Sequence, residues 1–249
     1  MYRLLREAKQ SAHRQRSKPP QSSQPPERIA TGPAQVLSWD ITYLPAAVRG
    51  TFFYLYMFQD IWSRKIVGWA VHDCEDNELA AELLVDVCHG LGVDSSELAL
   101  HSDNGSAMKG ATMLATIRSL GVCPSYSRPG VCDDNPFIEA LFRTMKYRPT
   151  YPDRPFQSLD DARKWVAHFV HWYNHEHLHS TIGFVTPHDR HVGRDIDILA
   201  QRRALYARAR AARPERWSGQ PRKCGRPRIV RLNPERTVRL PRQDKTKAA

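Results

Sequence analysis

Asp40 interrupts the apolar run QVLSWDITYL (35–44), Asp103 closes ELALHSD (97–103), and Glu139 sits within PFIEALFRTMK (136–146). A carboxylate in an apolar run costs several kcal/mol to bury unless a cation meets it. For Asp40 that leaves two readings: a strand residue paired with Lys or Arg, or a rim position that holds a metal. Hard cations such as Mg²⁺ take carboxylate oxygens and keep several waters. Two such ions about 4 Å apart can activate a water on one and stabilise a leaving oxygen on the other. Acids at adjacent strand positions plus one helix turn would supply the rigid, converging ligands such a site needs.

The elements that must position these acids follow from the local patterns. Residues 50–61 (GTFFYLYMFQDI) are continuously apolar and aromatic, and the turn WSRK leads into KIVGWAVHD (65–73). With Val36–Leu44 they predict three strands in an antiparallel meander. Residues 78–89 place Leu79, Ala80, Leu83, Leu84 and Val87 on one helical stripe. A short strand over 97–103, a helix over about 108–120, the segment CPSYS and a Pro/Gly/Asp-rich loop at 128–136 follow. Helices are predicted over 136–147, with Pro136 in the first turn, and over 158–178, opened by Ser158. Beyond residue 190 the chain is Arg/Ala-rich and helical to about 213, then a basic tail in which RIVRLNPERTVRL could form a strand or hairpin. The pattern predicts an α/β fold, a mixed sheet flanked by helices.

Lys and Arg outnumber Asp and Glu by 37 to 26, a formal charge of +11. That excess favours a polyanionic partner, nucleic acid first. No apolar run is long enough for a spanning helix, and the N-terminus has no signal-peptide core, so no membrane role is expected. The five cysteines are scattered without a CxxC pair and read as reduced thiols, mostly small core fillers. Residues 1–13 read as one short helix, and RQRSKPPQSSQPPERIATGPA (14–34), with five prolines, as a basic extended linker.

The spacing of the acids, with 62 residues between Asp40 and Asp103 and 35 between Asp103 and Glu139, resembles the D,D(35)E core of retroviral-type integrases and insertion-sequence transposases. The flanks WDITYL, DIWSRKIVGW, LHSDNGS, DDNPFIEALFRTMKYRP and FVHWYNHEHLHSTI resemble the bacterial branch whose transposase is made from two overlapping reading frames, of which this would be the second. The resemblance covers residues 35–190 and implies a ribonuclease-H-like fold. It implies Mg²⁺ as cofactor, two ions with Mn²⁺ able to substitute, held by Asp40, Asp103 and Glu139 as catalytic ligands. It implies end cleavage and strand transfer on double-stranded DNA by a homo-multimer in the bacterial cytoplasm. A helix-turn-helix region normally precedes this core, and only residues 1–13 could be its remnant, so a helix-turn-helix protein from the upstream frame is an expected partner. The expected domains are 1–34 (helix remnant and linker), 35–193 (catalytic core) and 194–249 (basic helix and tail).

Lys146, seven residues past Glu139, and Arg143 share its helix face and are expected to contact DNA, as is Asn104. Arg226 and Arg228 in KCGRPRIV have the form of a minor-groove hook. Against these stand plainer readings: an intrahelical Glu–Arg pair, a turn at SDNGS and a solvated basic tail. Asp60 is expected to pair with Arg64 or Lys65, Asp133 and Asp134 to favour the following helix dipole, and His171 and His175 to pack rather than bind zinc. The alternative to a transposase subunit is a catalytically silent, truncated DNA-binding remnant that partners or competes with a full-length enzyme.

Overall fold

The computed structural model describes residues 2–8, 27–92, 94–128, 134–220 and 225–234. In chain order the elements are α1 (Tyr2–Glu7), β1 (Arg28–Ala30), β2 (Val36–Pro45), β3 (Phe52–Asp60), β4 (Ile66–His72), α2 (Asn77–Leu91), β5 (Ala99–Ser102), α3 (Ser106–Lys109) and α4 (Ala111–Ser119). There follow β6 (Cys123–Tyr126), α5 (Pro136–Lys146), α6 (Leu159–His175), α7 (Pro187–His191), α8 (Asp195–Ala212) and β7 (Val230–Leu232).

The predicted meander forms three strands of a five-stranded mixed sheet in the order β4-β3-β2-β5-β6. β2, β3 and β4 are antiparallel, whereas β2, β5 and β6 run parallel. The unbroken apolar character of β3 has a direct cause: both its faces are buried. Tyr56 and Phe58 face a core built with α2 and α4, while Leu55 and Met57 face one built with α5 and α6. The alternation of strand side chains then explains Asp40. Leu37 and Trp39 pack into the first core, and Ser38, Asp40 and Thr42 point the other way, toward the side that α5 covers.

Three expectations need correction. The helix predicted over 108–120 is broken at Gly110, whose extended ψ of 147° separates α3 from α4. A Cβ on Gly110 would lie 2.1 Å from Asn77 Nδ2, so the residue is there for the close approach. The helix predicted to residue 178 ends at His175, because the chain peels off to stack His177 on Tyr173. Of the cysteines within the described residues, Cys88 is buried as expected, but Cys74 and Cys123 are exposed; Cys132 and Cys224 lie outside them.

Three residues of the expected linker, Arg28–Ala30, form β1, which pairs antiparallel with β7 from the tail. Ala30, Val230 and Leu232 are buried against Val36, Ile61, Trp62 and Ala99. The tail is thus partly a core element, and the second limb of the expected hairpin lies outside the described residues. No described helix is long and apolar enough to cross a membrane.

Candidate active site

The parallel register sets two of the three acids side by side. Ser38 on β2 is the partner of His101 on β5. Asp40 lies two residues further along β2, and Asp103 two residues beyond His101, just past the end of β5, where this parallel pairing ends. Glu139 comes from the first turn of α5, whose Ile138, Leu141, Phe142 and Met145 anchor it in the second core.

Asn135 joins these elements. It precedes α5 but makes no side-chain cap. Its Oδ1 accepts from Ser38 Oγ at 2.5 Å, and its Nδ2 donates to Trp39 O at 3.2 Å. Both Ser38 and Asn135 are fully buried.

Asp40 Oδ1 accepts from the N–H of Ile41 at 2.8 Å, and Asp103 Oδ1 accepts from Ser127 Oγ at 2.6 Å. Burial pushes the Asp40 carboxyl up to about 7, against the Ile41 N–H, which is the next-largest effect and lowers it; the like charges of Asp103, Glu139 and Glu75 add to the rise. Asp103 and Glu139 thus both act electrostatically on Asp40. Lys146 registers the Asp40 charge from its own side, though burial is the larger influence and holds its ammonium below the usual range. Its Nζ donates to Thr42 Oγ1 at 2.6 Å rather than bridging to a carboxylate. Among the described residues no three Asp, Glu, His or Cys side chains are gathered tightly enough to close on one metal ion. The donor set itself, three carboxylates of which one resists ionisation beside the others, fits a hard divalent cation.

A polar layer supports the acids. His101 is buried between Ser125 Oγ, 3.0 Å from Nδ1, and the Asp134 carbonyl, 3.0 Å from Nε2. Asp134 takes three bonds from Arg128, all at 2.9 Å, and the Arg128 guanidinium holds its carboxyl below the usual range. Its work is in that ion pair, and Asp133 lies outside the described residues. Asn104 Nδ2 donates to Ser127 O, tying the SDNG turn to the end of β6.

The remaining candidates separate. Arg143 is exposed and lies 5.8 Å over the Tyr147 ring. Arg228 is exposed, but Arg226 is turned inward: its Nε is 2.8 Å from Asp195 Oδ2 and its guanidinium lies 4.9 Å over Trp62. As placed, Arg226 fastens the tail and does not reach outward as one arm of a hook. Asp60 is not paired with Arg64 or Lys65. Its buried carboxylate accepts from Trp62 N, Ser63 N and Ser63 Oγ and lies 3.2 Å from His191 Nδ1, which closes the turn after β3. His171 packs on His175, and His175 on His188, at ring separations of 5.0 and 4.5 Å. The sequence reading missed Asn135, Ser127 and His101. A buried-polar role for His101 could have been suspected from its place between apolar residues and Asp103.

Residues 30–132 and 120–187 match two family models, each described as an integrase core domain. The chain is 31% identical over 161 residues to the transposase for insertion sequence element IS904 of Lactococcus lactis, covering 64% of this chain and 62% of that protein. It is 28% identical over 159 residues to transposase InsF for insertion sequence IS3A of Escherichia coli, covering 64% and 54%. The chain thus spans between about half and three-fifths of the length of these relatives. Among solved structures it resembles a chain of the simian T-cell lymphotropic virus intasome in complex with PP2A regulatory subunit B56 gamma. That match has a TM-score of 0.54 and 19% identity over 70% of this chain and 60% of that one. The likeness agrees with the fold, a ribonuclease-H-like mixed sheet with helices on both faces. With two integrase-core matches that together run from residue 30 to 187, the chain carries an integrase core domain, and it is similar to the transposases of bacterial insertion sequences.

Proposed function

We propose that the chain is the DDE-type catalytic subunit of a DNA transposase, cleaving the ends of an insertion element and joining them to target DNA. The observation that carries this is the convergence of Asp40 on β2, Asp103 just past β5 and Glu139 on α5, where burial first, and then the like charges of the other two acids, hold the Asp40 carboxyl at about 7. Asp40, Asp103 and Glu139 would hold the divalent cation, Mg²⁺ or Mn²⁺. When bound, it supplies Lewis-acid charge at the scissile phosphodiester and lowers the pKa of attacking water.

The residues of this chain do the rest. Lys146, held beside Asp40 through Thr42, and the exposed Arg143 set a phosphate of the element end against the acids. Water oxygen forms a bond to phosphorus as the P–O3′ bond breaks, and a proton from that water ends on the departing 3′-oxygen, leaving a 3′-hydroxyl and a 5′-phosphate. That hydroxyl then attacks a target phosphodiester and releases the target's own 3′-oxygen. One P–O bond forms as one breaks, so joining needs no external energy source and no covalent enzyme intermediate. The remaining basic side chains, Arg228 among them, hold DNA by phosphate contacts that weaken with salt. Bringing two ends together calls for a multimer, and end recognition for a helix-turn-helix segment from the upstream frame, both in the bacterial cytoplasm.

The test is incubation with labelled DNA bearing candidate element ends, with Mg²⁺, Mn²⁺ or EDTA. Metal-dependent nicking at the end together with strand-joined products is expected, and Asp40→Asn should lose both while still binding DNA. Binding without cutting or joining, even on pre-nicked ends, would overturn the assignment.

A further inference from the structure

On the flank of α5 away from Glu139 lies a half-open cavity of about 270 Å³, walled by Phe137, Leu141 and Tyr173 and floored by Gln59 and Arg64. The Glu139 chemistry does not use it. Arg64 is its unusual member. The residue has φ +70°, a conformation glycine adopts without strain. A glycine would serve the turn after β3 better, so the side chain must account for the arginine.

That side chain is largely buried, which lowers its pKa to about 10. Its guanidinium lies 4.1 Å over the Phe137 ring, and its Nε is buried with no hydrogen-bond partner. Tyr173 acts on it more than Asp60 does, the Asp60 carboxylate is engaged by Ser63 and His191, and Arg190 adds a second positive charge. No lining residue is acidic. Gln59, 1% exposed, donates to Arg64 O and Tyr173 Oη, and its Oε1 has no partner. A desolvated cation without a carboxylate calls for an oxyanion. The aromatic and aliphatic walls call for a flat apolar body attached to it. The cavity is roomier than a phosphate alone requires.

We propose that this cavity binds one nucleotide unit, its phosphate on Arg64 and its base against the aromatic wall. The phosphate chemistry could come from a strand of bound DNA or from a free nucleotide. Because Phe137 and Leu141 lie on the face of α5 turned away from Glu139, a nucleotide from a strand would sit across the helix from the acids and not next to them. The binding itself needs no cleavage, so it stands apart from the transposase reading.

The experiment uses the full chain, as wild type, Arg64→Gly, Ala140→Phe and Asp40→Asn, each checked by thermal melting. Calorimetry follows deoxythymidine monophosphate, with deoxythymidine and inorganic phosphate as separate probes. Anisotropy follows a blunt duplex and one with a short unpaired extension. Arg64→Gly relieves the backbone strain, so its melting temperature should hold or rise, and Ala140→Phe fills the cavity while keeping the arginine. A free-nucleotide site predicts saturable monophosphate binding that both variants weaken about tenfold or more, with deoxythymidine and phosphate weaker than the monophosphate. A strand site predicts the same loss for the extended duplex but not for the blunt one. Asp40→Asn should match wild type in both, whether or not any DNA is cut. Equal binding of both probes by wild type, Arg64→Gly and Ala140→Phe, or no binding of either probe, would overturn the proposal.

Discussion

Ser38 Oγ lies 2.5 Å from Asn135 Oδ1, and this one contact couples the strand that carries Asp40 to the helix that carries Glu139. The same amide reaches Trp39 O, so Asn135 grips β2 immediately before the acid. A side chain that spans two site-bearing elements sets their spacing as well as satisfying its own polarity.

Replacing Asn135 by Ala leaves Ser38 Oγ buried without its acceptor, and such a loss costs about 1–3 kcal/mol. Urea unfolding should show that drop, and Ser38→Ala a smaller one. The two should be non-additive in a double-mutant cycle. If the clasp also sets the acid spacing, the Asn135→Ala variant, still folded at low temperature, should need more Mn²⁺ for half-maximal cleavage. An unchanged metal requirement would confine Asn135 to stability.

The Asp40 carboxyl gives a pH signature. Its folded pKa, about 7, lies above the ordinary 3.8. Its contribution to stability is therefore fully present below 3.8 and is lost as pH rises through 7. Relative to Asp40→Asn, the metal-free wild type should become progressively less stable between those limits. Mg²⁺ or Mn²⁺ at pH 8 should restore wild type and leave Asp40→Asn unmoved. The difference from Asp40→Asn is the quantity to measure, because His179, lowered to about 4 by burial, pulls the slope the other way. A pH-independent difference would contradict the placement.

Lys146 should matter to DNA more than to the fold. Lys146→Ala is expected to weaken binding of all sequences alike and to reduce the slope of log K against log salt by about one. Arg143→Ala should do the same. Thr42→Val frees the ammonium without removing it and should leave the salt slope intact while slowing cleavage. Anisotropy titrations across a salt series check all three.

Arg190 is fully buried, donating to Trp62 O at 2.8 Å and Pro227 O at 2.7 Å, with Asp195 Oδ2 at 3.6 Å from its Nη1. Asp195→Ala would strand this cation and turn Arg226 loose, so a loss of about 3–5 kcal/mol is expected in denaturant unfolding. Arg226→Ala removes a more exposed partner of the same carboxylate and should cost less. Similar small losses from both would show that solvent reaches Arg190.

Much of this was legible in the residues. Asp40 stood out because it broke an apolar run, and the meander followed from length, alternation and turn chemistry. The spacing and flanks of the three acids carried the resemblance. Asn135 was not legible, since an Asn before a helical Pro reads as a turn or cap; only the tertiary packing reveals that it faces β2. The break at Gly110 was not legible within the helix predicted over 108–120, because its neighbour Asn77 is 33 residues away in the chain. β1 is three residues, too short for any periodicity to register, whereas β7 falls within the strand or hairpin expected in the tail. Arg226 looked outward because charge alone predicts exposure, and its buried partner Asp195 lay in a distant helix.

The pairing of Arg28–Ala30 with Val230–Leu232 bears on how the protein can be divided. A fragment trimmed to residues 35–193 would discard both strands of this buckle at once. It would uncover Ile61, Trp62 and Ala99 along one margin and leave Arg190 without Pro227 and Asp195. Such a fragment should be sticky and poorly soluble, and its failure would say nothing about the acids. An expression boundary that keeps residues 27–234 retains the buckle, so the two ends of the chain must be treated as a single structural part.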